Sequence, residues 1–132
     1  MHTILICDDE QDIVSALRIY LSAEGYHIFE AHTGKEALKI AGEQELHLVL
    51  MDISLPFFNG YHWCSEIRKV SRVPVIFISS ASDNMNIVMA MNMGGDDFIA
   101  KPFDLNVLTA KLQAVLRRSY DFAAPLPALE FR

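Results

Sequence analysis

Short apolar segments alternate with amphipathic helical patterns along the chain, at a spacing of about two dozen residues. Segments such as Leu48–Met51 and Val75–Ile78 are apolar on both faces, which is typical of parallel strands buried between two layers of helices. The pattern therefore predicts five strands, each followed by a helix. The predicted strands are Thr3–Cys7, Tyr26–Ala31, His47–Met51, Pro74–Ser79 and Asp97–Ala100.

The helical segments carry start and stop signals. In the first, apolar residues recur at the helical spacing up to Leu21, and Gly25 supplies the stop. The second opens with a capping box formed by Thr33 and Glu36. Parallel strands need crossover connections, and those crossovers are right-handed. Five successive β–α units therefore predict a doubly wound parallel sheet with helices on both faces. The remaining helices are predicted at about Tyr61–Val70, at about Asn84–Met93, and after Asp104 as N-cap.

Composition and charge narrow the class of protein. A chain of 132 residues that is 52% apolar suits one globular domain and is too apolar for a disordered segment. No stretch approaches the ~18 uninterrupted apolar residues of a membrane span, and the first residues do not form a signal peptide. The net charge of −6 argues against nucleic-acid binding by this chain itself. Cys7 and Cys64 lack metal or redox spacing, which favours free thiols and a cytoplasmic location.

The repeating pattern ends after Ser119. Residues 1–120 are predicted to form the domain and residues 121–132 a linker, because Pro125 and Pro127 stand there among small residues. The last four residues resume an apolar and polar alternation, as at the start of a strand. We therefore expect this segment to lead toward a further domain that is missing from the chain. A frayed natural terminus is the alternative.

Polar residues follow the predicted strands at their carboxyl ends. Asp8 and Asp9 follow the first strand, Asp52 ends the third, Ser79 ends the fourth and Lys101 ends the fifth. Open α/β sheets bind ligands at this edge, at the point where the strand order reverses. If the order is 2-1-3-4-5, the first and third strands are neighbours. The carboxylates of Asp8, Asp9 and Asp52 would then converge.

Convergent carboxylates are either partly protonated or hold a cation, because two charges ~4 Å apart repel by about 4 kcal/mol at an effective dielectric of about 20. Oxygen ligands without His or Cys nearby favour Mg²⁺ or Mn²⁺. Such an ion beside Asp52 and Lys101 suits phosphoryl transfer, with Asp52 as the nucleophile and Ser79 as a hydrogen-bond donor to the phosphoryl group. Each residue also has a plain structural interpretation: Asp8 or Asp9 as helix N-cap, Asp52 in a turn, Ser79 at a strand end and Lys101 on the surface.

Four motifs at this edge resemble the receiver domain of bacterial two-component response regulators. They lie in Ile4–Glu10, Leu50–Pro56, Val75–Ser80 and Asp96–Phe103, and the resemblance extends over about residues 2–119. It implies a flavodoxin-like (βα)5 fold with parallel strand order 2-1-3-4-5. It also implies a signalling domain that receives a phosphoryl group and is not a turnover enzyme.

The resemblance implies a role for each residue of the edge. Asp52 would accept phosphoryl from the phosphohistidine of a sensor histidine kinase. Ser79 and Lys101 would contact the phosphoryl group, Ser79 and Phe98 would form the switch, and the peptide before Pro102 would be cis. The Mg²⁺ ligands would be Asp8, acting through water, Asp9, Asp52 and the backbone carbonyl of Ser54.

The fifth predicted helix, 105–118, is similar to that of OmpR/PhoB-type regulators, which carry a C-terminal winged-helix DNA-binding domain. The resemblance implies that phosphorylation drives a homodimer through the fourth helix, fifth strand and fifth helix, with Asp97–Lys111 and Asp96–Arg118 ion pairs between subunits. DNA would be bound only through the missing domain, and no membrane would be bound. Residues 78–93 resemble regulators paired with kinases that sense peptide antibiotics such as bacitracin. The predicted dimer face comprises Val88, Met91, Asp96, Asp97, Ala110, Lys111 and Arg118.

Two other functions stay open at this point. One is a stand-alone receiver that acts by binding a partner protein. The other is a phosphohydrolase with an aspartyl nucleophile, although its DxDx[TV] motif is provided by neither Cys7–Glu10 nor Met51–Ser54.

Overall fold

A computed structural model describes residues 2–55, 59–79, 88–89, 91–92 and 94–120. Within these residues, five parallel strands form one sheet in the order β2-β1-β3-β4-β5. The predicted fold class and strand order are confirmed. The strands are β1 (Thr3–Cys7), β2 (His27–Ala31), β3 (Leu48–Asp52), β4 (Val75–Ser79) and β5 (Asp97–Ala100). The helices are α1 (Gln11–Ala23), α2 (Gly34–Glu43), α3 (Gly60–Arg68) and the last helix (Leu105–Ser119).

Three strands differ from the predicted bounds by one residue. The second, third and fourth strands begin one residue late, and β3 extends to Asp52. Tyr26 is excluded because its N–H donates to Leu21 O at 3.1 Å, in the turn that closes α1. Pro74 has no amide proton, so only its carbonyl joins the sheet, accepting from Val49 N at 2.9 Å. Because β3 extends to Asp52, this residue lies in the sheet. Its interpretation as a turn residue is wrong.

Both faces of the sheet are covered by helices, as the apolar strands predicted. Successive residues of β3 alternate between two apolar clusters. Val49 and Met51 pack on the side of α2 and α3, whereas Leu48 and Leu50 pack on the side of α1 and the last helix. All four are fully buried. A strand with two buried faces has no polar face to present, which explains its uninterrupted apolar sequence.

Two of the helix starts follow the predicted capping chemistry. Thr33 Oγ1 accepts from Glu36 N at 3.1 Å, and Glu36 Oε1 accepts from His32 N at 2.8 Å. Asp104 Oδ1 accepts from Asn106 N at 2.6 Å. These bonds satisfy backbone N–H groups that have no partner within their own helix.

The first turn of α3 lies against the end of β3. Gly60 N donates to Ile53 O at 2.8 Å. A Cβ atom at position 60 would stand 2.4 Å from Asp52 O and 2.9 Å from Ile53 Cα. Glycine is needed here because any side chain would collide with the backbone that carries Asp52.

The predicted fourth helix, 84–93, lies mostly outside the described residues. Within it, residues 88–89 and 91–92 are helical. The predicted linker, 121–132, also lies outside. Among the described helices, none combines the length and apolar character that a bilayer span requires.

Candidate functional site

Three carboxylates meet at the carboxyl edge of the sheet, where β1 and β3 lie side by side. One carboxylate oxygen each from Asp8, Asp9 and Asp52 lies within 4.8 Å of the others. Asp8 and Asp52 are buried, whereas Asp9 is exposed. The strand order thus brings together residues that are far apart in the sequence.

Asp8 is held by its backbone and by one carboxylate oxygen. Its N–H donates to Ala31 O at 3.2 Å, and its Oδ1 accepts from Glu10 N at 2.9 Å. The N-cap of α1 is Glu10, which makes no side-chain hydrogen bond to the helix. The interpretation of Asp8 or Asp9 as the N-cap is therefore wrong. The second carboxylate oxygen of Asp8, Oδ2, pairs with Lys101.

Asp52 has one partnered oxygen and one bare oxygen. Oδ1 accepts from Ser54 N at 3.1 Å. Oδ2 is buried and has no hydrogen-bond partner among the described residues. Burial, followed by the nearby Asp8 charge, raises the pKa of Asp52 to about 6, although the Lys101 charge opposes this shift. A buried, unpartnered carboxylate oxygen is costly unless a cation or a covalent partner occupies it.

Lys101 reaches the carboxylates from the end of β5. Its Nζ lies 3.0 Å from Asp8 Oδ2, 2.9 Å from Glu10 Oε1 and 3.7 Å from Asp52 Oδ1. Burial alone would lower the pKa of Lys101, but contacts with Glu10, Asp8 and Asp52 outweigh it and raise the pKa. The Lys101 ammonium is therefore fixed in the site by ion pairs. Its interpretation as a surface lysine is wrong.

Glu10 belongs to the site although the sequence did not single it out. Its contact with Lys101 joins residues that are 91 positions apart. The only signal in the sequence was that Glu10 is the third consecutive acidic residue after β1. No periodicity connects it to a lysine at the far end of the chain.

The remaining predicted site residues lie around this edge. Ser79 is buried at the end of β4, and its carbonyl accepts from Lys101 N at 2.6 Å. Phe98 is buried and packs on the side of α2 and α3. The Lys101–Pro102 peptide is cis. Ser54 is exposed directly after β3.

Cys7 lies beside the carboxylates but offers no thiolate. Its Sγ is fully buried and donates to Thr33 O at 3.5 Å. Burial strongly raises the pKa of the Cys7 thiol, and the charges of Asp8 and Asp52 raise it further. The donor set of the site is therefore oxygen, which suits a hard cation.

The predicted dimer face is partly described. Val88, Met91 and Ala110 are exposed. Within the single chain, however, Lys111 Nζ pairs with Asp97 Oδ1 at 3.1 Å. Both predicted ion pairs between subunits remain predictions, because they need a second copy.

Asp96 has a different partner within the chain from the one predicted between subunits. Its Oδ2 lies 3.3 Å from Arg68 Nη2 and accepts from Val75 N at 2.8 Å. Arg118 Nη2 instead donates to the backbone carbonyl of Asp96 at 3.3 Å. A pairing of Arg118 with the Asp96 carboxylate across a dimer would have to compete with Arg68.

A family model matches most of the chain. It is described as the response regulator receiver domain and matches residues 4–113. A curated relative, the uncharacterized transcriptional regulatory protein YvcP of Bacillus subtilis (strain 168), is 44% identical over 128 residues. That alignment covers 96% of this chain and 54% of the relative. The chain thus spans about half the length of the curated relatives it matches.

Two solved structures are similar in both sequence and fold. The N-terminal domain of NsrR, a lantibiotic response regulator for nisin resistance, is 49% identical with a TM-score of 0.80, covering 89% of this chain and 99% of that one. The response regulator TrrA of Thermotoga maritima, in complex with Mg²⁺-BeF, is 31% identical with a TM-score of 0.79, covering 87% and 99%. The family predicted from the four motifs is confirmed, and NsrR agrees with the predicted peptide-antibiotic subgroup.

Proposed function

Because the chain belongs to the family of response regulator receiver domains, we propose that it is a phosphorylation-activated switch whose phosphoacceptor is Asp52. The observation that carries the proposal is the buried Asp52 Oδ2, which has no hydrogen-bond partner among the described residues and stands beside two further carboxylates. The proposed donor is the phosphohistidine of a cognate sensor histidine kinase. We propose stoichiometric transfer to Asp52 rather than turnover of a substrate.

The transfer is an in-line displacement at phosphorus. An Asp52 oxygen forms the new P–O bond while the P–N bond of phosphohistidine breaks, and the imidazole leaves with the electron pair. Lys101 would place its ammonium against a phosphoryl oxygen, since Nζ already lies 3.7 Å from Asp52 Oδ1. Ser79, at the end of the neighbouring strand, would donate its hydroxyl to another phosphoryl oxygen.

The donor set fits Mg²⁺, or Mn²⁺ in its place. Asp8, Asp9 and Asp52 form a cluster of three carboxylates, of which Asp8 and Asp52 pair with the Lys101 ammonium. Among the described residues, Asp52 Oδ2 has no hydrogen-bond partner. The complex of the similar protein TrrA with Mg²⁺-BeF supports the same assignment. When bound, the cation neutralises charge on the phosphoryl oxygens. Its proposed ligands are Asp8, through water, Asp9, Asp52 and the carbonyl of Ser54.

Output from the switch is proposed to pass through Ser79 and Phe98 to the predicted dimer face. Phosphorylation would bring Ser79 toward Asp52 and shift Phe98, so that two copies dimerise through the segment around Val88 and Met91, β5 and the last helix. Residues 1–120 would be the receiver, and 121–132 would lead to a winged-helix domain that binds DNA and controls transcription. The relative YvcP, described as a transcriptional regulatory protein, supports this arrangement.

Phosphorylation of Asp52 can be tested with phosphoramidate and Mg²⁺. Intact-mass spectrometry should show one phosphoryl group on the wild type and none on Asp52→Asn, because the amide is not a nucleophile. Asp12→Asn, an exposed carboxylate on α1, is the matched control and should be phosphorylated like the wild type. Incorporation into Asp52→Asn at the wild-type level would place the phosphoacceptor elsewhere.

Dimerisation can be tested separately by light scattering with beryllofluoride and Mg²⁺. The wild type should shift from monomer to dimer, and Asp52→Asn should remain monomeric. A wild type that stays monomeric with saturating beryllofluoride would support the stand-alone receiver instead.

A further inference from the structure

Glu10 makes a contact that phosphoryl transfer to Asp52 does not require. Lys101 Nζ donates a hydrogen bond to Glu10 Oε1 at 2.9 Å and forms an ion pair with Asp8 Oδ2 at 3.0 Å. Its distance to Asp52 Oδ1 is longer, at 3.7 Å. The ammonium is therefore engaged by Glu10 and Asp8 and stands off from the proposed phosphoacceptor.

The backbone of Glu10 is fixed, but its side chain is not needed by the fold. Glu10 N donates to Asp8 Oδ1, and Glu10 O accepts from Ile13 N and Val14 N, both at 3.1 Å. The Glu10 side chain is 60% exposed, whereas that of Lys101 is 11% exposed. The Glu10 carboxylate can therefore turn into solvent at little cost, whereas Lys101 stays almost buried among the carboxylates.

Glu10 also lines a surface groove together with Lys101. A groove of about 460 Å³ is lined by Glu10, Ile13, Lys101, Pro102 and Phe103. Among the acids in contact with Lys101, Glu10 is the one that lines this groove, whereas Asp8 and Asp52 are buried. A phosphoryl donor that entered through this groove would meet the Glu10 carboxylate, and both would compete for the Lys101 ammonium.

We propose that Glu10 is a positioning residue that holds Lys101 in the resting state and releases it to the phosphoryl group. The proposal rests on Asp52 being the phosphoacceptor. An ammonium that closes on a phosphoryl oxygen at Asp52 must lengthen its bond to Glu10. Glu10 therefore slows phosphorylation by favouring the resting position of Lys101.

The test compares two substitutions that separate the charge of the Glu10 side chain from its length. Glu10→Gln keeps the length and removes the charge, whereas Glu10→Asp keeps the charge and withdraws it by one methylene. In the assay, an Asp52 oxygen bonds to phosphorus as the P–N bond of phosphoramidate breaks and ammonia leaves with the electron pair. Both variants should be phosphorylated about two- to fivefold faster than the wild type, the range expected for loss of an exposed ion pair.

The control is Glu24→Gln, which removes an exposed glutamate at the other end of α1 and should leave the rate unchanged. A faster Glu10→Gln with an unchanged Glu10→Asp would mean charge repulsion alone and would overturn the holding role. Unchanged or slower rates in both variants would overturn it as well. Asp52 phosphorylation of the wild type, measured in the same assay, separates either result from a failure of the proposed function.

A second readout needs no phosphorylation. In the unphosphorylated wild type, the ¹⁵N-labelled ammonium of Lys101 should exchange its protons with water slowly, because it is hydrogen-bonded and almost buried. Glu10→Gln and Glu10→Asp should both speed this exchange. Equal exchange in the three proteins would show that Glu10 does not hold the lysine.

Discussion

Asp52 is placed where its charge opposes folding in the absence of a cation. Burial and Asp8 raise the pKa of Asp52 to about 6, against 3.8 for the unperturbed side chain. Between these pH values the folded protein binds a proton that the unfolded chain has lost. The free energy of unfolding therefore falls as pH rises from about 4 to about 6, and the loss is complete at neutral pH.

We predict that Asp52→Asn stabilises the metal-free protein at pH 7.5 by about 1–3 kcal/mol, because the amide cannot ionise. Urea unfolding in EDTA, followed by circular dichroism, measures the difference. The gain should shrink toward zero below about pH 3, where Asp52 is protonated in both states of the wild type. Asp12→Asn serves again as control. A destabilised Asp52→Asn at pH 7.5 would contradict the electrostatic argument.

Among the elements, the junction of β3 and α3 determines where the proposed phosphoacceptor, Asp52, stands. Asp52 ends β3, and the chain returns to the same place at Gly60, which bonds to Ile53. Asn59 Oδ1 accepts from His62 N at 3.0 Å and begins α3. The helix start therefore lies directly on the backbone that carries Asp52.

We predict that Gly60→Ala lowers the free energy of unfolding by about 1–3 kcal/mol, the usual cost of overpacking. The added Cβ would stand 2.4 Å from Asp52 O, and backbone cannot move aside as a flexible side chain would. The rate of phosphorylation by phosphoramidate should fall too, because Asp52 is displaced.

Gly42→Ala in α2 is the matched control for this substitution. No atom lies within 4 Å of a Cβ at position 42, and alanine favours helix by up to about 1 kcal/mol. Urea unfolding should therefore show opposite signs for the two glycines. Equal effects would contradict the close approach at Gly60.

At the scale of the whole molecule, charged and aromatic side chains cluster at opposite edges of the sheet. The carboxylates lie at the carboxyl edge, and the rings of His2, His47 and Tyr120 lie at the other. Opposite the carboxylates, His47 joins β1 to the end of the last helix. Its Nδ1 accepts from Thr3 N at 2.9 Å, and its carbonyl accepts from Tyr120 Oη at 2.7 Å. The His47 ring also contacts the rings of His2 and Tyr120, with centroids 5.0 and 5.2 Å apart.

The neutral form of His47 is required by the bond from Thr3 N. Burial lowers the pKa of His47, and the positive charges of His2 and the amino terminus lower it further than Glu45 raises it. The unfolded chain therefore takes up a proton near pH 6.5 that the folded protein resists. Stability from this group is complete above that pH and is lost as pH falls.

We predict that the wild type loses more unfolding free energy than His47→Gln between pH 7.5 and pH 5.5. The difference should be about 1 kcal/mol, the value of the hydrogen bond that protonation breaks. Thermal or urea unfolding at both pH values measures it. His27→Gln, on the exposed side of β2, should behave like the wild type. Parallel pH profiles for His47→Gln and the wild type would contradict this role.

Features with local causes were predictable. The apolar runs of β3 and β4 indicated two covered faces, and Thr33 with Glu36 indicated a helix start, because strand burial and capping act within a few residues. The group of acids at one edge followed from strand order. Contacts between distant side chains were not predictable, since periodicity does not specify which of several charged residues will meet.

The sequence by itself thus determined the βα repeat, the parallel sheet and the presence of acids at one edge. Burial on two faces imposes an uninterrupted apolar pattern on the central strands β3 and β4, and the acids follow β1 and end β3. The sequence also placed three of the acidic residues behind the net charge of −6, Asp8, Asp9 and Asp52, at the ends of β1 and β3. Only the tertiary structure decided that Lys101 is held by Glu10, that Asp96 meets Arg68, and that one oxygen of Asp52 stays bare among the described residues. These outcomes depend on distances of a few ångströms between side chains, which the packing of helices on the sheet sets.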